Sequence, residues 1–95
     1  MNIINQLKEK LNEKLQDYPH AIYKFEVIDS PEGIIVTFTE RISPSTPSQY
    51  ENDIYYYQSI ISVCAPVSAK MIATYSQGVL YERPQYVYVF AVQEK

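Results

Sequence analysis

Glycine is nearly missing from this 95-residue chain. The two present, Gly33 and Gly78, cannot build the glycine-rich loop that cradles a phosphate. Cysteine is scarcer still: a single thiol, Cys64, makes no intramolecular bridge and removes the disulfide scaffolds from consideration. The lone histidine, His20, cannot begin a histidine-based metal cluster, and neither a metal nor a cofactor is expected. Charge is thin in both signs. Eight Lys and Arg against eleven Asp and Glu leave a net −3. The basic residues are scattered from Lys8 to Lys95 without a run, so extended nucleic acid is not an expected partner. Long apolar runs are lacking too. The longest uncharged stretch, 54–69, is interrupted by Gln58, three serines and Pro66, which is no membrane span. The residues after Met1 turn polar by Lys8 and lack the apolar core of a secretion signal. A cytoplasmic location and no membrane partner are therefore the expectation.

What is present is ordinary for a globule: 46% hydrophobic and 20% charged residues, enough for one α+β domain over 1–95. Asn2 is a good helix N-cap. Ile4, Leu7, Leu11, Leu15 and Tyr18 then recur at helical spacing, opposite a face filled with Lys, Glu, Asn and Gln. Pro19 disfavours a helical residue before it, so this amphipathic helix should stop near Asp17. Residues 21–28 and 34–40 alternate with period two around Ser30-Pro31-Glu32-Gly33, a turn with Pro second and Gly fourth. They predict a β-hairpin.

The segment 41–52 carries Ser43-Pro44-Ser45-Thr46-Pro47-Ser48 and reads as a loop. The β-branched and aromatic content of 53–65 argues for a strand. A helical stripe through Ile54, Tyr57, Ile61 and Ala65 is the rival reading. Residues 67–77 alternate as a strand would, and a short helix from Ser68 capped by Gly78 is nearly as good. A short extended piece over 79–83 ends at Pro84. The closing strand 86–92 alternates Tyr86, Tyr88, Phe90 and Val92 with Val87, Val89 and Ala91. The expected architecture is an N-terminal amphipathic helix packed on a mainly antiparallel sheet of four to five strands.

Such a sheet, about 24 Å wide at five strands, is too broad for one helix about 10 Å across. Its later strands are apolar on both faces. Something further must cover them: the 41–52 loop, a curled sheet, a second copy of the chain or another protein. Tyrosine suits a contact surface because its large ring keeps a water-tolerant hydroxyl. Eight of the ten tyrosines stand at or after Tyr50. Tyr55, Tyr57, Tyr86 and Tyr88, with Arg41 and Arg83, are thus the candidate interface or ligand-binding residues.

Candidates for chemistry are few. Cys64 sits in an apolar run with no basic neighbour and reads as a small buried hydrophobe. His20 has no partner in sequence, and no serine lies in a nucleophile elbow. Glu40-Arg41 and Glu82-Arg83 read as surface ion pairs worth under about 1 kcal/mol; a carboxyl with raised pKa is the minor reading. No catalytic residue is assigned and no enzyme is expected.

A helix followed by an antiparallel sheet resembles cystatin-like folds and phage tail-terminator proteins. The cystatin Gln-x-Val-x-Gly loop is absent, since Gln77-Gly78-Val79 does not match it. Most tail terminators also have an extra helix before the closing strand. These likenesses concern architecture, which fixes no activity. The expectation is a non-enzymatic protein–protein interaction module, a homo-oligomer and most simply a dimer, using a tyrosine-rich sheet face. The alternatives are a small viral or phage accessory protein that inhibits or connects a host or virion protein, and a module binding a nucleotide or anionic metabolite.

Overall fold

The computed structural model describes residues 2–16, 22–40, 44, 46–80 and 83–95, with backbone alone for Tyr23, Gln77, Val79, Leu80, Arg83 and Pro84. Helix α1 spans Ile3–Leu15. The Asn2 side chain accepts a hydrogen bond from the Asn5 amide at 2.8 Å, satisfying one of the donors a helix start leaves unpaired. Leu7, Leu11 and Leu15 form its buried stripe. Tyr18, Pro19 and His20 lie outside the described residues.

Strands β1 (Ile22–Ser30) and β2 (Gly33–Glu40) form the expected hairpin, with Ser30 paired to Gly33 across a two-residue turn. The Ser30 hydroxyl closes the turn, donating to the Gly33 carbonyl at 2.7 Å and accepting from the Glu32 amide at 3.3 Å. Gly33 has φ +132°, a conformation that L side chains rarely adopt.

The next element corrects the sequence reading. Residues Pro47–Cys64 are one helix, α2, replacing the end of the expected 41–52 loop and nearly all of the expected 53–65 strand. Thr46 is its N-cap, accepting from the Gln49 amide at 3.1 Å, and Pro47 occupies the first turn where no amide is needed. Such a cap is worth about 1 kcal/mol. Packing decides the rest. As a helix, the segment buries Tyr57, Ile60, Ile61 and Cys64 on one side and leaves Tyr55, Ser59, Ser62 and Val63 outside. The β propensity of its tyrosines and isoleucines is a weaker effect than that burial.

Strands β3 (Val67–Leu80) and β4 (Arg83–Glu94) form a second, longer hairpin. The separate piece expected at 79–83 is absent from the described residues: 79 and 80 continue β3, and 83 begins β4. β3 is bulged at Ile72 and Gly78. Gly78 has φ +59°, the left-handed conformation that a bulge assigns to glycine. The sheet has four strands in the order β1-β2-β4-β3, antiparallel throughout.

Two helices settle the covering of one face. The sheet is about 19 Å wide, and two helices of about 10 Å each lie side by side across it. α1 packs on β1, α2 on β3, and the helices touch each other. Beneath them Val27, Val36, Phe38, Tyr88, Phe90, Val92 and Val67 close the core. Among the described residues the opposite face carries no helix. Cross-strand rows Ile28–Ile35–Ala91–Lys70 and Glu26–Thr37–Val89–Ala73 run over it. Ile28 is 42% exposed, and Ile35, Val89 and Ala91 are only partly shielded by their neighbours. At one end of this face Thr39 and Val87 are buried.

Candidate functional site

Alternation along β2 sends Val36, Phe38 and Glu40 to the same side, under the helices. Phe38 stacks on Tyr57 of α2 with ring centroids 4.7 Å apart. Tyr57 meets Tyr88 edge-on at 5.2 Å and Phe90 at 6.5 Å. Tyr50, two turns earlier on α2, lies over Tyr88 at 5.7 Å. The result is an aromatic cluster at one end of the core, with a single carboxyl drawn into it.

That carboxyl is Glu40, 4% exposed. The Tyr57 hydroxyl donates to its Oε2 at 2.7 Å. Its Oε1 and the Tyr88 hydroxyl are buried without a hydrogen-bond partner, and Tyr88 stands near the carboxyl without bonding geometry. Asp53, one turn before Tyr57, brings a second carboxyl alongside. Two carboxylates this close repel each other, which favours a proton on Glu40. Glu40 is raised from its ordinary 4.5 to about 8, first by burial and then by Asp53, with the two tyrosine hydroxyls opposing the rise. Glu40 is therefore an uncharged acid at neutral pH, tying the end of β2 to α2. Tyr57 and Tyr88 are raised above the usual 10, first by burial and then by Glu40, so both hydroxyls keep their protons. This corrects the expected surface ion pair: Glu40 is in the core, and Arg41 lies outside the described residues.

A carboxylic acid that keeps its proton at neutral pH has the equipment of a general acid. The neighbouring surface does not lead to it. An open groove of about 500 Å³ lies between the start of α2 and strands β3 and β4, lined by Pro44, Thr46, Pro47, Tyr50, Thr74, Tyr75, Ser76 and Tyr86. Glu40 and Asp53 are not among its walls. Among the described residues the groove wall includes tyrosines and hydroxyls, and no charged side chain.

The candidate residues named from sequence are not gathered in one place. Tyr57 and Tyr88 are 2% and 0% exposed and form the core. Tyr86 is half-buried and lines the groove, while Tyr55, 67% exposed, stands on the outer side of α2. Arg83 is described as backbone in β4. Tyr50, Tyr75 and Asp53 were missed. For Glu40 the signal was present: it continues the Ile34, Val36, Phe38 parity.

Cys64 is buried at the end of α2, its thiol pushed up by burial, and its carbonyl accepts from the Gln6 side chain at 3.2 Å. Among the described residues no cluster of three or more His, Cys, Asp or Glu could hold a metal, and no helix is long and apolar enough to cross a membrane. Comparison with protein-family models, curated proteins and solved structures found no match.

Proposed function

We propose that the chain is a non-enzymatic protein–protein interaction module that self-associates through the uncovered face of its sheet. The observation that carries this reading is the row Ile28–Ile35–Ala91 beside Val89, an apolar strip on a face without a helix. The sheet edges support it by contrast. β1 carries Lys24, Glu26 and Asp29 and is irregular between Ile22 and Lys24. β3 is bulged twice. Charges and bulges guard an edge against strand addition, so the face is the better contact.

Area sets the strength. Four strands at about 4.8 Å and two open rows at about 6.8 Å give a footprint of roughly 260 Å² per copy. Stable complexes bury about 800 Å² per partner. A weak dimer follows, one that forms as concentration rises. Light scattering from about 1 to 100 μM should show the mass climbing from monomer toward dimer. Ile35→Lys should stay monomeric with an unchanged melting temperature, because the new ammonium remains in water in the monomer and is buried in the dimer. A wild-type monomer at about 100 μM defeats the reading.

The groove favours a second reading, a small-molecule binder. Its walls suit a flat, uncharged ring stacked on tyrosine rather than a phosphate or carboxylate. A thermal-shift screen of aromatic metabolites should then raise the melting temperature, while inorganic phosphate should not.

A further inference from the structure

We propose that the dimer is built on a two-fold axis parallel to the strands, with β1 of each copy lying over β3 of the other and Glu26 meeting the partner's Lys70. This rests on the self-association reading and specifies its geometry.

The argument is one of charge placement. Lys24 and Glu26 stand on β1 at one edge of the open face, paired to each other at 3.7 Å and both exposed. Lys70 stands on β3 at the opposite edge, in the row of Ile28. A face-to-face homodimer has its two-fold axis in the plane between the sheets; with strands aligned, that axis runs along them or across them.

An axis across the strands lays β1 on β1 and β3 on β3. Centred on the Ile28 row, it sets Lys70 over the partner's Lys70. Centred on the Glu26 row, it sets Glu26 over the partner's Glu26. Centred between them, it lays Glu26 over the partner's Ile28, with Lys24 of its own strand as its cation and none from the partner. Each option opposes like charges or gives the carboxylate no partner across the interface.

An axis along the strands keeps each row over the same row of the partner and exchanges the edges. Glu26 then lies over the partner's Ala73, one row from the partner's Lys70. That offset of about 6.8 Å is within the reach of a lysine side chain. Ile35 packs over the partner's Ala91, and Thr37 over the partner's Val89. Lys70 itself lies over the partner's Ile28 and reaches one row along to the partner's Glu26, and each contact occurs twice.

Sedimentation equilibrium of the full chain tests this. Glu26→Lys and Lys70→Glu should each weaken the dimer by about tenfold, since each variant turns two attractive pairs into two repulsive ones. The double variant Glu26→Lys with Lys70→Glu should regain the wild-type dissociation constant. Melting temperatures report separately on the fold of each monomer. If the wild type dimerises, Ile35→Lys breaks the dimer and neither charge variant changes it, this geometry is wrong while the self-association reading stands. A wild-type monomer throughout overturns both.

Discussion

Tyr57→Ala should lower the stability of the native state by about 3–5 kcal/mol, the range for emptying a large aromatic site in a packed core. The ring is 2% exposed and touches Phe38, Phe90 and Tyr88, so no neighbour can fill the space without abandoning its own contacts. The same change removes the hydroxyl that donates to Glu40. A domain of this size has about 5–15 kcal/mol in all. The variant should therefore melt far below wild type or be largely unfolded at 37 °C. Tyr57→Phe separates the two effects. It keeps the ring and leaves Glu40 Oε2 without a donor, at about 1–3 kcal/mol. Urea denaturation followed by circular dichroism reads both. A Tyr57→Ala protein as stable as wild type would mean that α2 does not pack where the structure puts it.

Stability should also fall as pH rises from about 4.5 to about 8, the window between the ordinary and native values for Glu40. The sign follows from where the proton resides. The native state holds a proton on Glu40 that the unfolded chain releases above about 4.5, so each further unit of pH favours unfolding by up to about 1.4 kcal/mol. Above about 8 both states have lost it and the dependence levels off. The total is a few kcal/mol. Facing the carboxyl are Asp53 and Tyr57 from α2 and Tyr88 from β4, with no cation among the described residues to hold the charge once it forms. Glu40→Gln keeps a group able to accept from Tyr57 and donate toward Asp53, and it cannot ionise. Its melting temperature should match wild type near pH 5 and exceed it near pH 9, with a flat profile between. Parallel profiles for the two proteins would place the titrating group elsewhere.

These two effects arise from the residues the sequence hid best. α1, the first hairpin and the closing strand were legible because each has one dominant period and clear ends: Asn2, the Ser30–Gly33 turn, and the Tyr86–Val92 alternation. α2 was not, for a local reason. Tyr55, Tyr56, Tyr57, Ile60 and Ile61 all favour extended backbone in isolation. The helical signals, Thr46-Pro47-Ser48-Gln49 as a capping sequence and burial spaced through Ile54, Tyr57 and Ile61, were in the chain and carried too little weight beside them. One misassigned element altered the reading of the site. With α2 as a strand, Tyr57 and Tyr88 looked like rings on an open sheet; with α2 as a helix they are the floor beneath it. Glu40 fell between two patterns. Its adjacent arginine suggested solvent, and its parity on β2 pointed inward. The uncovered face, by contrast, follows from counting covering elements against strands. That count needs only the correct number of helices.

The order β1-β2-β4-β3 places the last-made strand beside β2 in the interior of the sheet. On the ribosome, the first hairpin and both helices emerge before the strand that supplies Tyr88, Phe90 and Val92 to their common core. Until residues 83–94 are free of the exit tunnel, β2 and β3 have no shared neighbour, and the greasy sides of α1 and α2 have only a fragment to rest on. Cooperative collapse is thus deferred until the closing strand has been made, and the apolar sides of both helices stay uncovered through most of the synthesis of this domain.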